Sequence, residues 1–261
     1  MFIDVHAHLT GEEYDSVGGV DGLLSRMREN GVERVIASGF DADSSEQSMR
    51  LAERYENVYF CAGFHPSELA RFCEGDWERI ETLCRHEKCV AVGEIGLDYH
   101  FDDNPERSVQ KEAFLRQLQL ADRLGLPVVI HSRDAAEDTF ELLAANRGLL
   151  QNGGLMHCYS YSSEMLLRFA ELGLYFSFGG TSTFKNAKKV QASVQCVPAH
   201  RILSETDCPY LTPVPFRGTF PNEPKNVKYV VEFMAQLRGI SVEEMAKQIE
   251  NNAQALFKKL G

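Results

Sequence analysis

The sequence predicts an α/β chain folded as a closed (β/α)8 TIM barrel, one domain over residues 1–261, and three observations lead there. Short apolar, strand-like runs punctuate the chain, segments of helical periodicity fill the gaps, and imidazoles and carboxylates recur where the runs end. The runs are Phe2-Ile3-Asp4-Val5, Arg34-Val35-Ile36-Ala37, Val58-Tyr59-Phe60-Cys61-Ala62, Val90-Ala91-Val92-Gly93, Pro127-Val128-Val129-Ile130, Gly154-Leu155-Met156, Leu174-Tyr175-Phe176-Ser177-Phe178 and Arg201-Ile202-Leu203-Ser204. They recur roughly every 20 to 35 residues, the length of a βα unit. Eight such units fit a closed barrel, with a doubly wound open sheet as the competitor.

The helix pattern is clearest from Glu106 to Leu124. There Phe114, Leu115, Leu118, Ala121 and Leu124 make an apolar stripe that Gly125 and Pro127 terminate. After the eighth run, Leu211 to Pro224 is rich in Pro and Gly and predicts a long loop. Amphipathic patterns at Val227 to Leu237 and Met245 to Leu256 then predict two closing helices, which packing on the barrel explains without any protein partner. No Pro/Ser-rich linker or low-complexity tract marks a domain boundary.

Composition narrows the class. The 261 residues are 44% hydrophobic and 25% charged, enough for a sizeable core. No stretch reaches the roughly 18 apolar residues of a membrane span. The N-terminus lacks the basic region and apolar run of a signal peptide, so the expected compartment is the cytoplasm. Seven cysteines with no Cys-x-x-Cys pair argue against a disulfide framework and a thiolate zinc knuckle, and predict free, mostly buried thiols. A net charge of -11 and a pI near 5.2 argue against a broad basic face that coats nucleic acid. They leave open a phosphate-cleaving site, where bound cations cancel negative charge locally.

The ionisable residues decide between barrel and open sheet. His6 and His8 follow the first run, His65 the third, Glu94 the fourth, His131 the fifth, His157 the sixth and Asp207 the eighth. In a barrel all those strand ends converge on one face, whereas an open sheet separates the first from the last. His6 and His8 stand two apart, so on a strand they face the same way and can grip one ion. Any one of these residues alone reads as a hydrogen-bonded loop residue. Together they read as a divalent-metal site, because buried imidazoles and carboxylates on one rim need a partner. His86, His100 and His200 lack such companions and read as surface residues.

Several ordered blocks carry a resemblance. His6-Ala-His8, Gly93-Glu-Ile-Gly-Leu-Asp98, Ile130-His-Ser-Arg-Asp-Ala135, Met156-His-Cys-Tyr-Ser160, Thr183-Phe-Lys-Asn-Ala187, Glu205-Thr-Asp-Cys-Pro-Tyr210 and Asn251-Asn-Ala253 resemble the signature blocks of the TatD family of metal-dependent hydrolases. The resemblance spans nearly the whole chain. It implies an amidohydrolase-like barrel and two divalent ions, Zn, Mn or Mg. It assigns His6, His8, Glu94 and Asp207 to one ion and Glu94, His131 and His157 to the other, with Glu94 shared. It further implies a deoxyribonuclease, exonuclease-like in the 3'-5' sense, with single-stranded or frayed DNA ends as substrate. Composition and periodicity by themselves do not name DNA.

Around these ligands, Asp207 can also accept a proton from the nucleophilic water. His65, in Gly63-Phe-His-Pro66, can hold the scissile phosphate, donate to the leaving oxygen, or simply bond its loop. Glu205, two residues before Asp207, is expected to face the same way as a supporting partner or alternative proton acceptor. Arg133, Lys185 and Arg217 are candidate phosphate contacts, or solvated surface charges. Ser67, Tyr161 and the stretch Phe216-Arg-Gly-Thr-Phe-Pro221 depart from the family pattern at the rim. The other open chemistry is an amidase, lactonase or aminoacyl-ester hydrolase, since the same centre can attack a carbonyl.

Overall fold

The computed structural model describes residues 1–260. Its strands are β1 (Phe2–Ala7), β2 (Val32–Ser38), β3 (Val58–Ala62), β4 (Cys89–Asp98), β5 (Val128–Arg133), β6 (Gly154–Met156), β7 (Tyr175–Phe178) and β8 (Ile202–Ser204). The α-helices are α1 (Gly19–Glu29), α2 (Ala42–Arg54), α3 (Glu74–Cys84), α4 (Arg107–Leu124), α5 (Ala136–Ala145), α6 (Ser163–Glu171), α7 (Lys188–Cys196), α8 (Val227–Arg238) and α9 (Val242–Leu256). Strand and helix alternate, and the eight strands form one sheet in the order β1 to β8. This is the expected (β/α)8 barrel, with every apolar run of the sequence falling on a strand.

The chain divides into two compact units. The first comprises Met1–Ala37, Cys158–Leu167 and Phe176–Ala255, and the second Ser38–His157, Arg168–Tyr175 and the residues from Leu256 on.

In the first unit the chain's first and last strands meet. Ser204 Oγ donates to Ile3 O at 3.1 Å, Asp207 N to His6 O at 3.0 Å, and His8 N to Cys208 O at 2.8 Å. β1 pairs in parallel with β2, and β7 with β8. Helix α8 buries Val227, Val230, Val231, Met234 and Ala235, the i, i+3, i+4, i+7, i+8 stripe of an amphipathic helix. Gly239 stops it in the left-handed region at φ 66°.

In the second unit β4 pairs with β3 and β5, and β5 with β6. β4 is longer than its apolar run predicts. Glu94 therefore lies inside the strand, four residues before its end, rather than following it. The register shifts between Val92 and Ile95, and two glycines allow the close approach to β5 there. A Cβ at Gly93 would sit 2.7 Å from Val129 Cβ, and one at Gly96 1.9 Å from His131 O. Helix α4 begins at Arg107 and ends at Gly125 in the left-handed conformation, close to the bounds its periodicity predicts.

Cys61, Cys84, Cys89 and Cys208 are buried free thiols, Cys158 is half-buried, and Cys73 and Cys196 are exposed. No helix among the described residues is long and apolar enough to cross a membrane.

Candidate metal centre

Each unit gathers its own cluster of imidazoles and carboxylates. In the first, His6 lies near the end of β1, His8 just after it and Asp207 beyond β8. His6 Nε2 is 3.7 Å and His8 Nε2 3.5 Å from Asp207 Oδ1, and the two rings meet edge to face at 5.0 Å. Asp207 holds φ 53°, in the left-handed region that non-glycine residues seldom adopt. A Glu205 carboxylate oxygen lies within 4.8 Å of a His6 ring nitrogen, so Glu205 adjoins the same cluster. Glu205 is buried and accepts from Ser177 Oγ at 2.5 Å.

Asp4 braces this cluster. Its carboxylate accepts from Thr206 N at 2.9 Å, Thr206 Oγ1 at 2.5 Å and His6 N at 3.3 Å, tying β1 to the segment that carries Asp207. Burial pushes its carboxyl pKa up to about 8, against the lowering effect of the Thr206 bonds.

In the second unit, Glu94 Oε1 is 2.9 Å from His131 Nδ1 and 2.8 Å from His157 Nε2, and those two nitrogens are 3.2 Å apart. On its other side His131 Nε2 lies 3.1 Å from Asp98 Oδ2. A proton on Nε2, given to Asp98, leaves the Nδ1 lone pair directed at Glu94 and His157. Burial disfavours protonated His131, but the Asp98 and Glu94 carboxylates outweigh it and raise its pKa.

His65 stands beside this cluster, its Nε2 3.6 Å from Glu94 Oε1 and its ring 4.3 Å from that of His131. Nδ1 accepts from Ser67 N at 3.2 Å and lies 2.7 Å from Ser67 Oγ. Burial, reinforced by His131, lowers its pKa to about 3, so the ring is neutral through the physiological range. A neutral imidazole can donate one hydrogen bond to a phosphate oxygen but brings no positive charge.

Two buried glutamines of α4 set the loops that present these groups. Gln117 Oε1 accepts from Phe64 N at 2.7 Å, and its Nε2 donates to Phe64 O at 3.2 Å. One α-helical heptad earlier, Gln110 Oε1 accepts from Asp98 N at 2.8 Å, and its Nε2 donates to Asp98 O at 2.9 Å. One helix face thus fixes the backbone next to His65 and the backbone of Asp98.

The donor sets suit divalent ions. Imidazole nitrogens and carboxylate oxygens without thiolates fit Zn, Mn or Mg. Ligand bonds of about 2.0 to 2.2 Å demand donors roughly 3 to 3.5 Å apart, and the His–Asp207 pairs, the His–Glu94 pairs and the His131–His157 pair lie 2.8 to 3.7 Å apart. His6, His8 and Asp207 form one ligand-competent group, and Glu94, His131 and His157 another.

The candidate phosphate contacts lie on the surface. Arg133 ends β5 with its guanidinium 5.0 Å from the Phe101 ring centroid. Arg217 stacks 4.0 Å from the Phe184 centroid, and Lys185 is exposed beside it in sequence. His100 and His200 are exposed as expected, whereas His86 is half-buried, its ring 5.6 Å from Phe60.

Sequence reasoning passed over Asp4, Asp98, Gln110 and Gln117. Asp4 and Asp98 each had a signal: an acid in an apolar strand, in phase with a candidate ligand two residues on for Asp4 and four residues back for Asp98. The glutamines had a weaker one, since each interrupts a buried helical stripe.

A (β/α)8 barrel with histidine and carboxylate clusters at its strand ends defines a metal-dependent hydrolase. The chain belongs to the TatD family: residues 3–258 match the family described as TatD related DNase. It is 43% identical over 258 residues to the metal-dependent hydrolase YabD of Bacillus subtilis, covering 99% of each chain. It is 37% identical over 259 residues to the metal-dependent hydrolase YcfH of Escherichia coli K12, covering 98% of this chain and 96% of that one. The crystal structure of YjjV, a TatD homolog from Escherichia coli K12, superposes with a TM-score of 0.91 at 32% identity over 98% of each chain.

Proposed function

We propose that this chain is a deoxyribonuclease that shortens single-stranded or frayed DNA ends in the 3'-5' direction in the cytoplasm. The observation that carries the reading is a TatD related DNase match over residues 3–258 in a chain whose strand ends gather ligand-competent clusters, among them His6, His8 and Asp207, and Glu94, His131 and His157. His6, His8 and Asp207 hold one divalent ion, and Glu94, His131 and His157 a second, each Zn, Mn or Mg. Bound there, the ions supply an activated water and neutralise charge at phosphorus.

The protein's own groups do the rest. Asp98 fixes the His131 tautomer, and Asp4 fixes the backbone between β1 and Asp207. Asp207 takes the proton released by the attacking water, with Glu205, two residues earlier, as the alternative acceptor. Neutral His65 donates to an oxygen of the scissile phosphate. Arg133, Lys185 and Arg217 contact the flanking phosphates, a role their exposure permits.

The test is hydrolysis of end-labelled single-stranded and duplex DNA with Mg²⁺, Mn²⁺ or Zn²⁺, beside Glu94→Ala. Stepwise, metal-dependent shortening that the variant loses supports the reading. A folded, metal-loaded protein that leaves DNA intact but cleaves a carboxyl ester or amide overturns it.

A further inference from the structure

The loop after Asp207 displays side chains that the metal clusters do not require. Tyr210 and Phe220 are 56% and 61% exposed, and Val214 and Phe216 between them are exposed as well. Four of the eight large hydrophobic residues exposed among the described residues fall on this one segment, the kind of concentration that interaction surfaces show. The segment is firmly held. Asn222 N donates to Pro209 O at 2.8 Å, Asn222 Nδ2 to Tyr210 O at 2.7 Å and Thr206 O at 3.2 Å, and Thr212 Oγ1 to Thr219 O at 2.6 Å.

That clasp brings the Tyr210 and Phe220 rings to 6.3 Å, inclined at 40°. It also keeps the pair beside a metal ligand, since Tyr210 N donates to Asp207 O at 3.1 Å. The loop's middle is tied to the Phe184 segment through Val214 N and Thr183 Oγ1 at 2.9 Å. There Arg217 stacks on Phe184, which places a cation on the same loop as the two rings.

We propose that Tyr210 and Phe220 are a stacking platform for the unpaired bases next to the bond being cleaved. The proposal rests on the nuclease reading and names the side chains that would recognise its unpaired substrate. A chain of net charge -11 has little long-range attraction to offer a polyanion, and stacking supplies affinity without charge. Every base has a π-face, so the platform accepts any sequence. Paired bases have their faces covered by neighbours, so the platform selects single strands and frayed ends over duplex.

The test compares two single-stranded oligonucleotides, one intact and one with abasic residues at its two 3'-terminal positions. Wild type should show about a tenfold higher KM on the abasic strand, the loss expected for roughly one stacked base. Tyr210→Ala/Phe220→Ala should show the same raised KM on both strands, and Tyr210→Phe should discriminate as wild type does. The platform is overturned if wild type treats the two strands alike, or if the alanine variant still discriminates about tenfold. The wild-type comparison stands even if the double variant fails to fold. Wild type that cleaves neither strand with metal present fails the nuclease reading and the platform together. Cleavage of both with equal KM fails the platform alone.

Discussion

Asp98 Oδ2 lies 3.1 Å from His131 Nε2, on the side of the imidazole opposite Glu94. A carboxylate behind a ligating histidine sets which nitrogen carries the proton and makes the other a better donor. Removing such a partner typically weakens metal affinity by about 10- to 100-fold. Asp98→Ala should show that loss in a Mn²⁺ titration while remaining folded, and unchanged affinity would remove Asp98 from the site.

Gln117 makes a different kind of contribution. In Gln117→Leu the buried N–H and C=O of Phe64 lose their partners, at a cost of about 1–3 kcal/mol. Urea unfolding should report that cost. The loosened backbone beside His65 should also lower kcat more than a surface substitution of equal stability cost.

The approach of β4 to β5 leaves no room for a side chain at Gly96. Its Cβ would lie 1.9 Å from His131 O, so Gly96→Ala should cost at least about 3 kcal/mol or abolish soluble expression. Gly125→Ala is the control. It also has positive φ, 67°, but nothing within 4 Å, and should cost only about 1 kcal/mol in thermal unfolding.

Burial of His65 gives a pH dependence with a definite sign. Its folded pKa of about 3 lies below the ordinary value of 6.5, so the unfolded chain binds a proton that the folded chain refuses. The contribution is complete above about pH 6.5 and is lost as pH falls toward 3. Nearby divalent ions push the ring the same way, so metal-stripped protein gives the conservative case. Between pH 7.5 and 5 it should lose up to about 2 kcal/mol more than His65→Gln. Parallel pH profiles would contradict a neutral, half-buried His65.

How much of this was legible follows from what each residue packs against. The strands were readable because parallel barrel strands are covered on both faces and so appear as apolar runs. β4 outran its run because Glu94, Gly96 and Asp98 interrupt the apolar pattern while the backbone stays extended. That His6, His8 and Asp207 come together, and Glu94, His131 and His157 likewise, was legible from their common position near strand ends. Gln110 and Gln117 were barely so, because a polar residue that interrupts a helical stripe normally reads as solvent-facing. These two are 1% exposed, a fact that depends on which distant backbone they meet. Asp207's φ of 53° was equally invisible, since it arises from the junction with β1.

If each cluster holds its own divalent ion, purified wild type reconstituted with Mn²⁺ or Zn²⁺ should carry two ions per chain on metal counting, and His8→Ala and His157→Ala one each. A single ion in wild type, lost entirely in either variant, would rule out two separate sites.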